Sequence, residues 1–383
     1  MKHYFLTGAS GAVGSAVVPL LLDDPDTHVR VLLRADSPEH LQARLEELCR
    51  FWQLAPDAEA RRRMQPLRGD ATLHHFGLSD ADYASLTADT THIIHCAASV
   101  RMNEPLDKAR RSAVGSAEAI LALARELAQR GLLQKLEFVS TVGIAGKRPG
   151  LLPETWIDEP RAFHNTYEQS KAEAEVLVRD AIEREHLPIT VHRPSMVIGD
   201  SRDGRIIHFQ IFYYICEILS GRRTFGLYPD FGEIRLDVIP VDWVADALTA
   251  ASRSQATAGR ILHLCSGPGH SPKLRDLKTL VRQAFRGHGH RIPPSFTIRR
   301  DWFAALPRAA SVLASEKQRR RLSTLPIYVD YLADKQAFDN AEFMRWLHAR
   351  GLELPSAETF LPVALMGYLS TYPEEQASRL ATT

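Results

Sequence analysis

The stretch "HYFLTGASGAVGS", residues 3–15, joins an apolar strand pattern to three glycines, Gly8, Gly11 and Gly14, spaced three residues apart. Glycine lets the backbone turn sharply and approach a pyrophosphate closely, and the helix that follows offers free N–H groups and the positive end of its dipole to phosphates. A glycine spacing is weak evidence by itself, but here it lies between a strand and a helix, as dinucleotide binding requires. We therefore predict a dinucleotide-binding turn; a plain tight turn is the alternative.

Short β-branched runs alternate with helical patterns over roughly the first 200 residues. The runs are "HYFLTG", "HVRVLLR", "MQPLRGD", "HIIHCAAS", "KLEFVSTV" and "ITVHRPSMVIG". Such alternation predicts βαβ units and an α/β fold, a Rossmann-type doubly wound parallel sheet. Two helix ends are marked by their residues: Ser79 is a predicted N-cap, and Gly131 is placed to terminate the helix "SAEAILALARELAQRG".

After about residue 200 the pattern changes, and this sets the expected domains. We expect residues 1–200 to form the dinucleotide-binding domain, with 235–270 returning to it through the strand "RILHLCSG". Residues 201–234 and 271–383 are expected to form a smaller, mostly helical lobe on the substrate side.

Composition excludes several classes of protein. A net charge of +1 with 24% charged residues argues against a dedicated nucleic-acid binder. Residues 273–321 nevertheless hold thirteen lysines and arginines against three acids, which indicates either a solvated helical surface or a docking patch for an anionic partner. The four cysteines are far apart and show no metal-ligand or disulfide spacing, while His208, His288 and His290 lack a carboxylate pattern, so no metal site is expected. No signal-peptide pattern and no transmembrane segment are evident, and a reducing cytoplasm fits best.

The end of the second strand predicts which nicotinamide dinucleotide binds. An acid there binds the ribose hydroxyl, whereas an arginine binds the 2′-phosphate. The segment "VLLRADS" places Arg34 first and Asp36 two residues later, which favours NADPH. The alternative is that Arg34 is a surface residue paired with a helix carboxylate.

A tyrosine and a lysine four residues apart, Tyr167 and Lys171, lie in the helical segment "NTYEQSKAEAE". They share a helix face, so the ammonium is expected to favour the phenolate form. The fifth strand ends in "FVSTVG", which places Ser140 and Thr141 at the carboxyl edge of the sheet, where the Thr141 hydroxyl can bind the same substrate oxygen. A second pair, Tyr331 and Lys335, has no such companion and is interpreted as accidental. We predict hydride transfer to a carbonyl, with Tyr167 protonating the oxygen.

Over about residues 1–270 the chain resembles the extended short-chain dehydrogenase/reductase superfamily, and within it the thioester reductase and fatty acyl-CoA reductase branch of male-sterility-type NAD(P)-binding proteins. The segments "LLRADSPEHLQARLEEL", "RGDATLHHFGLSDADYASL", "HIIHCAASV", "YEQSKAEAEVLV", "HRPSMVIGDSRDGR" and "DVIPVDWVADAL" resemble thioester-reductase blocks in the right order. The resemblance implies Thr141, Tyr167 and Lys171 as catalytic residues. It implies as cofactor-binding residues Thr7, Gly8, Ser10, Gly11, Ala12, Val13, Gly14, Arg34, Asp70, Ala71, Ala97, Ala98, Lys171, Pro194 and Ser195.

Two positions depart from the family pattern. Cys96 stands where asparagine is frequent, and Ser112 stands where the family's helix usually carries an asparagine that helps order the active-site water and lysine. The serine leaves the proton relay open to question.

The resemblance also implies the substrate, an acyl thioester on coenzyme A or on an acidic carrier protein, reduced to an aldehyde and then possibly to an alcohol. The basic segment around Arg319, Arg320 and Arg321 suits either anionic carrier. The apolar stretch that begins at Ile206 either lines an acyl channel or is plain core; its residues include Phe209, Phe212, Tyr213 and Ile215.

Two other functions remain open from the sequence. A hydroxysteroid dehydrogenase or a sugar-nucleotide epimerase or reductase of the same superfamily would use Tyr167 and Lys171 on an alcohol or ketone. A non-enzymatic dinucleotide sensor would have no need of that pair.

Overall fold

The structure is a computed structural model, and it describes residues 1–102, 104–299, 303 and 335–371. The strands are β1 Lys2–Thr7, β2 Thr27–Leu33, β3 Met64–Arg68, β4 His92–His95, β5 Lys135–Val139, β6 Gly150–Leu152, β7 Ile189–Pro194, β8 Met196–Ile198, β9 Leu227–Pro229, β10 Val238–Pro240, β11 Ile261–Leu264, β12 Phe296–Ile298 and β13 Gln336–Phe338. The helices are α1 Ala12–Leu22, α2 Pro38–Phe51, α3 Glu59–Arg62, α4 Asp80–Asp89, α5 Leu106–Arg110, α6 Ser116–Gln129, α7 Thr166–Glu183, α8 Ile211–Leu219, α9 Val241–Ser252, α10 Gly267–His270, α11 Leu274–Gly287, α12 Ala341–His348 and α13 Ala357–Thr371.

Seven parallel strands form the main sheet in the order β11-β7-β5-β4-β1-β2-β3. The direction of winding reverses between β1 and β4, and the crevice above the carboxyl ends of these strands is where ligands of such sheets bind. Helices cover both faces: α1 and α9 contribute to one buried apolar cluster, and α6 and α7 to the other. The predicted Rossmann-type doubly wound sheet is therefore confirmed.

The helix ends follow the local chemistry that the sequence predicted. The Ser79 side chain accepts a hydrogen bond from the N–H of Asp82 at the start of α4. Gly131 has a φ of +68°, the left-handed conformation in which glycine commonly follows a helix, one residue beyond the C-cap Arg130 of α6. Both predicted ends are confirmed.

One predicted strand is wrong in its extent. The run "ITVHRPSMVIG" forms two strands, because β7 ends at Pro194 while β8 pairs with β10 in a separate two-stranded sheet. Ser195 N–H still donates to the oxygen of Leu264 on β11, 2.9 Å away. From Met196 the N–H is directed to the oxygen of Asp237, so the chain bends away from the main sheet immediately after the proline.

The C-terminal portion is mostly helical, as expected, and β11 lies at the edge of the main sheet beside β7. Helix α11 packs against α8 and α13. Phe212, Tyr213 and Ile215 of α8 are fully buried in one apolar cluster, and the Tyr213 hydroxyl accepts from the N–H of Gly199, 2.8 Å away. These contacts favour the core interpretation of α8 over an acyl channel. Within the described ranges, no helix combines the length and apolar character needed to cross a lipid bilayer.

Candidate active site

The glycine turn after β1 is as tightly packed as its sequence predicted. Gly8 has a φ of +82°, and a Cβ there would lie 2.7 Å from the carbonyl carbon of Cys96. At Gly14 a Cβ would lie 2.2 Å from the Gly8 oxygen, and the N–H of Gly11 donates to the same oxygen. No side chain caps the N-terminus of α1, which begins just after Gly11, so its first N–H groups are available for a phosphate.

A buried histidine connects this turn to the neighbouring strand and helix. Nδ1 of His95, on β4, lies 2.9 Å from Oγ1 of Thr7, and its Nε2 lies 3.3 Å from Oγ of Ser116 at the start of α6. Burial lowers the pKa of His95 to about 3, so the ring is neutral near pH 7. Thr7 Oγ1 also accepts from the N–H of Ala97. These contacts fix Thr7 and Ala97, two of the residues assigned to cofactor binding.

The predicted 2′-phosphate residue Arg34 is exposed directly after β2, and a second arginine lies beside it. Arg44, on α2, donates from Nη1 to the oxygen of Arg34 at 2.6 Å and from Nη2 to Oγ of Ser10 at 3.3 Å. Arg44 therefore links the glycine turn to the main chain of Arg34 at the end of β2. Sequence reasoning missed Arg44, because only the packing of α2 against the strand edge brings it there.

The loop after β3 holds Asp70 and Ala71, two of the residues that the family resemblance assigns to cofactor binding. Asp70 follows the strand, and its Oδ1 accepts hydrogen bonds from the N–H and the hydroxyl of Thr72, both at 2.9 Å. Ala71 is buried. The loop is thus held in shape by its own side chains, and it lies at the same sheet edge as the glycine turn.

Thr141, Tyr167 and Lys171 come together at the carboxyl end of β5. Thr141 caps a short 3₁₀ turn, accepting from the N–H of Gly143 at 3.1 Å, and it forms a hydrogen bond with Tyr167. Lys171 is buried, and its Nζ donates to the oxygen of Val139 at 2.8 Å and lies 4.9 Å from the centre of the Phe138 ring. The three predicted catalytic side chains therefore occupy one site.

The electrostatics of this site differ from the expectation for the tyrosine. Burial raises the pKa of Tyr167 to about 12, although its hydrogen bond with Thr141 acts in the opposite direction. Burial also lowers the pKa of Lys171 to about 8, with Glu175 partly opposing it. The tyrosine is thus held in its protonated form, and the expected shift toward phenolate is not present.

The two positions that depart from the family pattern have well-defined contacts. Ser112 lies in a π-helical turn, Arg111–Gly115, and its Oγ accepts from the N–H of Ser99 at 2.7 Å. It thereby holds the loop that follows Ala97 and Ala98. Cys96 lies near Lys171, and burial raises the pKa of its thiol to about 12, so the thiol is neutral.

The other predicted residues lie either at the end of β7 or outside the described ranges. Pro194 and Ser195 are buried at the end of β7, next to β11. Arg319, Arg320 and Arg321, proposed as a docking patch, and Tyr331 lie outside the described residues. Among the residues that the structure does describe, no group of three or more histidine, cysteine or acidic side chains could hold a metal ion.

Residues 6–248 match the family described as male sterility protein, a family of NAD(P)-binding domains. The chain belongs to this family. The match covers more than half of the chain and spans the glycine turn and all three residues of the candidate catalytic group, so the resemblance seen in the sequence is confirmed.

One curated relative of this chain is the isonitrile lipopeptide synthase of Streptomyces coeruleorubidus. The two are 31% identical over 253 residues, which is 65% of this chain but 16% of the relative. This chain therefore matches only a small part of that much longer relative.

Two solved structures share the fold. The terminal R domain from the myxalamid PKS-NRPS biosynthetic pathway superimposes with a TM-score of 0.79 and 24% identity, covering 97% of this chain and 91% of that one. A thiolation-reductase di-domain from an archaeal non-ribosomal peptide synthetase gives a TM-score of 0.74 and 19% identity, covering 97% and 75%. At these identities the likeness establishes the fold and its helical C-terminal portion.

Proposed function

We propose that this protein is an NADPH-dependent oxidoreductase that reduces an acyl thioester to an aldehyde and a free thiol. The observation that carries the proposal is the meeting of Thr141, Tyr167 and Lys171 beside the glycine turn, at the sheet edge where dinucleotides bind. The same residues would also serve a ketone reductase. The thioester is favoured because one relative is a lipopeptide synthase, and because the two structural neighbours are a terminal R domain from a PKS-NRPS pathway and a thiolation-reductase di-domain from a non-ribosomal peptide synthetase.

The proposed chemistry assigns one task to each side chain. When bound, the reduced nicotinamide supplies a hydride to the thioester carbonyl carbon. Thr141 and Tyr167 bind the carbonyl oxygen, and Tyr167 gives it the phenolic proton, which yields a hemithioacetal. Lys171 supplies positive charge behind the tyrosine as its proton is lost. Breaking the C–S bond of the hemithioacetal then releases aldehyde and thiol, and a second hydride would take the aldehyde to the alcohol.

The residues present fit a 2′-phosphorylated dinucleotide. A Cβ at Gly8 or Gly14 would clash with main-chain atoms, so only glycine allows this tight turn, and the start of α1 presents N–H groups to the pyrophosphate. Arg44 contacts Ser10 of the turn and the main-chain oxygen of Arg34, and two guanidinium groups suit a dianionic phosphate better than a ribose hydroxyl. The other cofactor contacts that we propose are Thr7, Ser10, Ala12, Val13, Asp70, Ala71, Ala97, Ala98, Pro194 and Ser195.

For the partner, we propose an acidic carrier protein or coenzyme A as the bearer of the thioester. One structural neighbour is a di-domain in which a thiolation domain accompanies the reductase. In this chain, exposed Arg275 and Arg286 on α11 begin the basic segment that continues toward Arg319. Such a surface attracts anionic partners at low ionic strength. A cytoplasmic location remains part of this proposal.

The test is NADPH oxidation by the purified protein with a panel of acyl-CoA and carrier-protein thioesters, run beside a thiol-release assay. We expect one thiol for each hydride delivered to a thioester. NADPH binding with turnover only on ketones or on alcohols would move the function to the hydroxysteroid or sugar-nucleotide class of dehydrogenase.

A further inference from the structure

A buried acidic side chain directly follows Tyr167. Glu168 is paired with His164, and their side chains are only 2% and 3% exposed. Oε2 of Glu168 accepts from the main-chain N–H of His164 at 3.0 Å and lies 2.9 Å from its ring Nδ1. Since a carboxylate only accepts, Nδ1 is the donor in the ionised pair. Neither residue has a task in the chemistry described above.

The pair is built into the start of α7. Asn165 caps the helix and accepts from the N–H of Glu168 at 2.9 Å, while the Glu168 side chain reaches back to the N–H of His164, in a variant of the capping box. The helix therefore begins in one register, and Tyr167 lies within that fixed first turn. The pair thus sets where Tyr167 stands.

Glu168 also contacts the turn that carries Thr141. Its Cγ lies 3.1 Å, and its Oε1 3.5 Å, from the position that a Cβ on Gly143 would occupy. The N–H of Gly143 in turn donates to Thr141 Oγ1. One side chain thus packs between the helix that holds Tyr167 and the turn that holds Thr141, with glycine making the space.

The charge of Glu168 acts on the tyrosine as well as its position. A buried anion beside a phenol disfavours the phenolate, and Glu168 adds to burial in raising the pKa of Tyr167. Among the described neighbours, Lys171 donates to Val139 and the Cys96 thiol is neutral. Glu104, whose main-chain oxygen accepts from Thr166 next to Tyr167, has its own carboxylate held by Ser99 and Arg101.

We propose that Glu168, held by His164, is a positioning residue that keeps Tyr167 on its helix and Thr141 on its turn aligned for the delivery of a proton to the substrate oxygen. The inference rests on the proposed function, because this alignment matters only where the enzyme delivers a proton to a substrate oxygen. It assigns a role to a pair that lies outside the catalytic group.

The test uses Glu168→Gln, which keeps the side-chain length and the acceptor of the capping box but removes the charge. Glu173→Gln is the matched control, because Glu173 lies on the same helix in a partly exposed pair with Arg110. With [13Cζ]tyrosine labelling, the Tyr167 resonance is assigned from its absence in Tyr167→Phe. In Glu168→Gln, Tyr167 should ionise at lower pH than in the wild type, by roughly one unit. Glu173→Gln should leave the Tyr167 titration unchanged.

His164→Gln keeps the carboxylate, so it gives an independent measurement if Glu168→Gln folds poorly. Tyr167 should then ionise at the wild-type pH or above it, opposite to the effect of Glu168→Gln. The inference would be overturned if Tyr167 titrated identically in the wild type and in Glu168→Gln. It would also be overturned if the midpoint of the Tyr167 titration moved to lower pH in His164→Gln. The NMR titration needs no turnover, so a protein that fails to reduce any thioester would count against the proposed function alone.

Discussion

Lys171 donates a hydrogen bond from Nζ to the main-chain oxygen of Val139, 2.8 Å away, at the last residue of β5. The ammonium is thus tied to the strand that ends beside Thr141, and it is buried against the Phe138 ring. The buried ammonium of Lys171 destabilises the native state, because burial lowers its pKa from 10.5 to about 8. A buried group kept at such a cost is typical of functional sites.

Replacing Lys171 by methionine should therefore stabilise the protein while it abolishes reduction. Below pH 8 the lysine is protonated in the native state, and the buried charge lowers the free energy of unfolding. Between about pH 8 and 10.5 the native state loses this proton before the unfolded state does, so the destabilisation diminishes and then disappears. At pH 7, Lys171→Met should raise the free energy of unfolding by about 1–3 kcal/mol, after allowing for the lost hydrogen bond to Val139. Urea denaturation at pH 7 and pH 10 measures this, and the difference from wild type should shrink at the higher pH. A variant that is less stable at pH 7 would contradict the assignment of a buried, charged lysine.

Tyr167→Phe should abolish turnover and leave dinucleotide binding intact. The substitution removes the proton donor but not the ring, and it leaves Thr141 without its hydrogen bond to the Tyr167 hydroxyl. We expect kcat to fall by at least about 1,000-fold, since general acid catalysis contributes up to about four orders of magnitude. Fluorescence titration with NADPH provides the control. Loss of NADPH affinity in this variant would mean that the tyrosine has a role in the cofactor site.

The sequence predicted the sheet and the meeting of Thr141, Tyr167 and Lys171 because both follow local rules. The alternation of runs and helices sets a parallel sheet, and the ends of parallel strands meet at one edge, so Thr141 and Gly8 had to lie on the same side. Pro194, by contrast, could not be identified as a break between two strands, because the second pairing with β10 is distant in the chain. Arg44 was missed because only the packing of α2 against the strand edge brings its guanidinium to the glycine turn.

The protonation of Tyr167 was also beyond the sequence. Helical spacing places Lys171 beside Tyr167. It does not show that the ammonium donates to the oxygen of Val139, or that the carboxylate of Glu168 is buried with His164. Burial decides the direction of a pKa shift in such a site, and burial is a property of the assembled fold.

Arg44, at the glycine turn, and Arg34, directly after β2, should determine the choice of dinucleotide. If Arg34 and Arg44 bind a 2′-phosphate, Arg44→Ala should weaken NADPH by about 10- to 100-fold, since a hydrogen bond to a charged group is worth about 1.5–3 kcal/mol. NADH, which lacks that phosphate, should bind about as well as before. Arg50→Ala is the matched control, because Arg50 lies on the same helix and its Nε donates to the main-chain oxygen of Glu46 within that helix. Equal losses for NADPH and NADH would place Arg44 elsewhere in the site.

Gly14→Ala should prevent dinucleotide binding without unfolding the whole protein. A Cβ at this position would lie 2.2 Å from the Gly8 oxygen, a main-chain atom that cannot move without opening the turn. The turn also packs against Cys96, so its displacement should reach the strand edge where the cofactor would lie. We expect NADPH affinity to fall by more than about 100-fold, the scale of lost phosphate contacts with several N–H groups. Gly287→Ala is the control, because its Cβ would meet nothing within 4 Å near the end of α11 and should leave binding unchanged. Calorimetric titration with NADPH compares the two, and a Gly14→Ala protein that binds normally would show that the phosphates do not lie over this turn.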